Sequence, residues 1–234
     1  MHFPHVAAWP GLLLPPLLLL LTSASGQAGS NTTDLNLVRI LETIDNKTVS
    51  CPATASQCRN ATVAAPLLLE SFKEFGVGCR QEAACLVGLM MLESVSFNFM
   101  RNQSPGRPGQ GTANMQMCNF NLKWARELKP DSFADACSDL NCPEKECADA
   151  QTCNNVLDSV LETDRGNFFS AAWFYATQCK DDDVKNRLRD NVEGCSAYLK
   201  TCVGVDPKDK DRVVRNQKAF EAFGVANATK CVPL

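Results

Sequence analysis

Apolar positions along this chain recur at three- and four-residue spacing rather than alternating, which predicts helices almost throughout. Pro66 suits the first turn of a helix that runs through Leu67, Leu68 and Phe72 to Phe75 and stops at Gly76 or Gly78. A second helix is expected over 82–99 and another over 122–128, ended by Pro130. Further helices are expected over 155–161, 167–179, 184–198 and 213–223. Between the second and third, Pro105, Gly106, Pro108, Gly109 and Gly111 make residues 104–111 a loop. Over residues 27–62 the chain is polar, but Leu35, Val38, Leu41 and Ile44 fit a short amphipathic helix. There is no period-2 strand of any length and no internal repeat. The fold class is mainly α and disulfide-rich, with little or no β structure.

Cysteine usage and the leader then set the compartment. Residues 1–26 read as a signal peptide: a Leu-rich run over 11–21, then small residues, with Ala24 and Gly26 placed for cleavage before Gln27. Residues 27–65 read as a polar, glycosylated N-terminal arm, with Cys51 and Cys58 pinned by one bridge, and 66–234 as the helical domain. All 13 cysteines lie after the leader, so an exported, bridged framework with an odd thiol is expected. Cys142, Cys147 and Cys153 fit no familiar zinc spacing, and no metal or cofactor is expected. Were Cys79 and Cys85 both helical they would lie about 9 Å apart along the axis. That is beyond disulfide reach, so each should bridge elsewhere. Sequons begin at Asn31, Asn46, Asn60 and Asn227, and a fifth at Asn102 is weakened by Pro105. A net charge of -3 without a basic patch argues against nucleic acid. No later apolar run is long enough to cross a membrane. A secreted, extracellular monomer is expected.

Within residues 84–99 the one charged residue is Glu93. Leu86, Leu89, Met90, Glu93 and Phe97 share a face of an ideal helix, and the other faces are apolar too, so this is a central helix. A buried carboxylate without a partner is costly and responds with a raised pKa, and a helix C-terminus pushes the same way. Such an acid could protonate a departing sugar oxygen. The alternative is a core salt bridge to Arg or Lys.

Glu93-Ser94, Phe97, Asn102, Ser104-Pro105, Gly109 to Gly111 and Asn114-Met115-Gln116-Met117 together resemble the signature of soluble lytic transglycosylases and goose-type lysozymes. The stretch Phe169-Ser170-Ala171-Ala172-Trp173-Phe174-Tyr175 is similar to that family's Ala-Ala-Tyr-Asn-Ala-Gly helix. The resemblance implies a lysozyme-like domain with Glu93 as catalytic general acid and Ser94 supporting it. It also implies Ser104, Asn114, Met115 and Gln116 along the substrate cleft, and Tyr175 hydrogen-bonded near Glu93. Departures fall at Ala113-Asn114 and Ala176-Thr177-Gln178, in substrate-facing stretches.

The expected activity is cleavage of β-1,4 bonds in an amino-sugar polymer: peptidoglycan first, then chitin or chitosan. Residues 94–126 hold no Asp or Glu. Glu93 would therefore act alone with help from the substrate's N-acetyl group, or with a distant Asp131, Asp135 or Asp164 positioning water. The rival expectations are a non-catalytic secreted glycan-binding protein on a lysozyme-like scaffold, and a cysteine-rich structural module.

Overall fold

The computed structural model describes residues 35–133, 136 and 149–234. Cys137, Cys142, Cys147, the leader and the Asn31 sequon lie outside them, as does Asp135. Nine α-helices are described: α1 (Leu37–Ile44), α2 (Ala61–Glu74), α3 (Arg80–Glu93), α4 (Cys118–Leu128), α5 (Ala150–Val160), α6 (Asp164–Thr177), α7 (Asp182–Leu188), α8 (Val192–Tyr198) and α9 (Lys210–Ala222). A π turn, Leu199–Val203, closes α8 at the left-handed Gly204. Among the described residues there are isolated bridges but no strand. The mainly α expectation therefore holds.

Local capping chemistry sets where the helices begin. Asn60 Oδ1 accepts from Val63 N, so α2 starts at Ala61 rather than at Pro66, which falls inside the helix. Asp149 starts α5 earlier than the apolar pattern alone indicated, accepting from Gln151 N and Thr152 N. The single helix expected over 184–198 is two helices. Asn191 caps α8, and Gly194 presses on the end of α7, where a Cβ would sit 2.0 Å from Arg187 O.

Helix α3 is the axis of the molecule. Every residue from Gln81 to Met91 is buried, and α6, α7, α8 and α9 all pack against it. Gly88 brings α9 close, since a Cβ there would stand 2.8 Å from Asn216 Oδ1. A second apolar cluster joins α4, α5 and α6 through Trp124, Val156, Phe169 and Trp173. Helix α1 buries Leu37, Leu41 and Ile44 against α2 and α9. Residues Leu35–Leu234 form one compact unit. The helical domain thus begins well before residue 66, and the described part of the arm contributes to its core.

Among the described residues five disulfides brace this arrangement: Cys51–Cys58, Cys79–Cys231, Cys85–Cys195, Cys118–Cys153 and Cys179–Cys202. Cys79 and Cys85 do bridge elsewhere, and Cys51 and Cys58 pair as expected. No described helix is long and apolar enough to cross a membrane.

Candidate functional site

Glu93 is the last residue of α3, at the C-terminal end where the sequence placed it, although the helix is shorter than expected. Beyond it Val95, Ser96 and Phe97 all take positive φ, which ends the helix six residues before the apolar pattern does. Ser94 stabilises that ending. Its Oγ donates to Met90 O at 2.6 Å and accepts from Phe97 N at 2.9 Å, and the residue is fully buried. Ser94 thus supports the local backbone geometry around Glu93.

The carboxylate is not stranded. Glu93 Oε1 accepts from Arg212 Nη2 at 2.9 Å, with the side chains 25% and 11% exposed respectively. Arg212 is delivered by α9, whose N-cap Asp209 accepts from Arg212 N. One helical turn on, Arg215 pairs with Asp45, which also accepts from Ser96 Oγ. Burial pushes Asp45 up, but the hydrogen bonds from Ser96, Lys47 N and Arg215 outweigh it and hold the carboxyl below its ordinary value. The expectation of an unpartnered acid at Glu93 is corrected: its charge is met by a guanidinium from 119 residues downstream.

Two depressions meet at this carboxylate. One encloses about 330 Å³ between Leu89, Phe120, Phe174 and Val203 to Val205 on its apolar side and Arg107, Asn114 and Gln116 on its polar side. The other, about 290 Å³, lies against Phe99, Arg101, Gln103 and Ser104. Glu93, Gln110 and Met115 line both, so the two depressions adjoin at a saddle formed by these three residues.

A network of amides forms the polar wall. Gln116 Nε2 donates to Asn121 Oδ1 at 2.7 Å, and Asn121 Nδ2 donates to Gly109 O at 2.7 Å. Gln110 Nε2 donates to Met115 O, and Asn102 Nδ2 donates to Gln110 Oε1. Asn114 Oδ1 accepts from Thr112 Oγ1 and Ser170 Oγ, both at 2.7 Å, tying the loop to α6. Met115 takes a left-handed φ of 48°, a strained position held by this network. Ser104, Asn114, Met115 and Gln116 therefore do gather around Glu93.

Tyr175 does not. Its hydroxyl donates to Glu82 Oε1 at 2.6 Å, at the opposite end of α3 and about 16 Å along the axis from Glu93. Glu82 is the carboxylate that is fully buried. Its Oε2 accepts from Gly78 N at 2.9 Å and Cys79 N at 2.8 Å, and Oε1 accepts also from Arg189 Nε at 2.8 Å. The spacing from the N-cap Cys79 to Glu82 is that of a capping box, a signal present in the sequence. Arg212, Gln110, Phe120 and Phe174 carry no comparable signal.

Burial, then the hydrogen bond to the Glu82 carboxylate, pushes the Tyr175 phenol far above its usual range; burial alone does so for Tyr198. A raised phenol value contributes stability that is fully present below the unfolded value, about 10, and is lost as pH rises beyond it. In an alkaline titration, tyrosinate absorbance should therefore appear together with loss of helical circular dichroism. Ionisation that precedes unfolding would contradict this burial.

Among the described residues no group of three His, Cys, Asp or Glu is placed to hold a metal ion. Both histidines precede residue 35, and the ten described cysteines are all bridged.

No family model matches the chain, and no solved structure matches it. The chain does resemble part of a multifunctional oxygen-chemistry enzyme. That protein is a bifunctional dioxygenase–epoxy alcohol synthase of Fusarium oxysporum (strain Fo5176), 38% identical over 165 residues. The match takes in 70% of this chain and spans 12% of the relative's length. The relative is an enzyme by name, but its named activities are oxidative. This finding overturns the expected glycan hydrolysis and cell-wall degradation. The donor set does not fit an oxygen-activating iron group held by His or a Cys thiolate among the described residues.

Proposed function

We propose that this chain is an exported, disulfide-braced binding module on a lysozyme-like scaffold. Its groove at Glu93 takes an elongated molecule with an apolar body and oxygen substituents. An alkyl epoxy alcohol is the class that the groove and the relative's name jointly favour. The observation that carries this reading is the pair of depressions that share Glu93, Gln110 and Met115, each lined by both apolar and polar side chains. The Phe120 and Phe174 rings, 4.9 Å apart and edge to face, offer a rigid apolar wall for a hydrocarbon chain. The amides opposite supply donors and acceptors for hydroxyl and epoxide oxygens. The buried central helix ending at an acid beside Asn114-Met115-Gln116 supports the lysozyme-like scaffold. The leader pattern and the five bridges support export.

Calorimetric titration with an alkyl epoxy alcohol, its diol and the unsubstituted alcohol tests the reading. The epoxy alcohol should bind most tightly, and Phe120→Ala should weaken it roughly tenfold, about 1.4 kcal/mol, with helical circular dichroism unchanged. Equal affinity for the unsubstituted alcohol, or retention on chitin or peptidoglycan with no response to the epoxy alcohol, overturns it.

A further inference from the structure

A groove of about 490 Å³ lies beside α9, sharing no lining residue with the Glu93 groove. Pro207, Val213, Phe220 and Ala226 give it an apolar floor, and Gln217 and Glu221 a polar edge, with Gln217 Nε2 donating to Glu221 Oε1 at 3.0 Å. Val213 is 46% exposed there, an apolar side chain left to water in a folded protein. At the rim stands Asn227, followed by Ala228 and Thr229.

The described sequons differ in what their side chains already do. Asn60 Oδ1 caps α2, and Asn102 Nδ2 is committed to Gln110. Asn46 is exposed, but the hydroxyl of its sequon, Thr48 Oγ1, is bonded to Asp45 O and its residue is fully buried. Asn227 sits exposed in a turn, and its carboxamide makes no hydrogen bond among the described residues. Among the described sequons only this one has a free amide bordering an apolar groove.

We propose that Asn227 carries an N-linked glycan whose first sugars lie in this groove. In the transfer, the Asn227 carboxamide nitrogen attacks C1 of a polyprenyl-diphosphate-linked oligosaccharide. The N–C1 bond forms as the C1–O bond to the diphosphate breaks, and the amide proton leaves with that diphosphate. The C–H face of an N-acetylglucosamine covers Val213 and Pro207, while its hydroxyls meet the Gln217–Glu221 pair. The attached sugar thus shields surface that would otherwise favour self-association.

The proposal rests on the export reading, and the experiment separates the two. The full chain with its own leader is expressed in a eukaryotic secretory host, and peptides are mapped by mass spectrometry before and after enzymatic deglycosylation. The Asn227 peptide should be occupied, and Thr229→Ala should remove one glycan while secretion persists. Hydrogen exchange over 213–221 should be slower by several-fold in protein trimmed to one sugar than in fully deglycosylated protein. Secreted, disulfide-bonded protein with bare Asn227 overturns the site alone. Occupancy with unchanged exchange overturns the seating in the groove. Failure to be exported overturns both the export reading and this proposal.

Discussion

Replacing Glu82 by alanine should lower the unfolding free energy by about 3–5 kcal/mol in chemical denaturation. Four donors converge on this one carboxylate: Gly78 N, Cys79 N, the Tyr175 hydroxyl and Arg189 Nε. Alanine leaves the buried Cys79 N–H and a nearly buried phenol without an acceptor, each costing about 1–3 kcal/mol, while the exposed Gly78 N–H can turn to water. The charge itself contributes less, because Arg189 is 47% exposed and solvent can take over its guanidinium. Tyr175→Phe removes a single donor and should cost only about 1 kcal/mol. A loss below about 1 kcal/mol for Glu82→Ala would mean that the network relaxes to water on truncation.

The second large effect is expected from Cys85→Ala combined with Cys195→Ala. This bridge ties the centre of α3 to α8, spans 110 residues, and has both cysteines fully buried. Cys79–Cys231 persists in the double variant and bypasses part of that span, so the effective ring is roughly 40 residues. Opening a ring of that size returns about 4 kcal/mol of chain entropy to the unfolded state. For a domain of this length that corresponds to a fall of roughly 8–16 °C in Tm by scanning calorimetry. A fall under about 2 °C would show that α3 and α8 are held by packing alone.

Much of the fold was legible because α3 is apolar on every side and the turns carry strong punctuation. Leu35, Val38, Leu41 and Ile44 announced α1, although α1 buries itself in the core rather than belonging to a separate arm. The Pro/Gly loop over 104–111 and the grouping of Asn114, Met115 and Gln116 near Glu93 could also be read from the chain. What failed depended on distant partners. Periodicity ran α3 on to residue 99, because a Ser94 side chain bonding back to Met90 O leaves no mark in an apolar pattern. Glu93 looked unpaired because Arg212 arrives through α9, and polar helix faces normally point to water. Tyr175 was assigned to the wrong carboxylate. Its helix is apolar all round, so the chain alone does not reveal which end of α3 it meets. Glu82 was overlooked at a helix start, where acidic residues are commonplace. The chemistry was misjudged for a different reason: a short motif identifies a groove more readily than it identifies what occupies the groove.

The strand-like pairing around Cys79 has a consequence for biogenesis. Residues 230–234 lie against the start of α3: Arg80 N donates to Val232 O, Leu234 N donates to Gly78 O, and Cys79 bonds Cys231 across 152 residues. During vectorial emergence the central helix must wait, its first cysteine unclaimed, while Cys85 and Cys118 pass by as nearer competitors. Under the export reading proposed above, correct pairing of Cys79 would therefore depend on thiol–disulfide exchange that reopens any earlier bridge to a nearer cysteine.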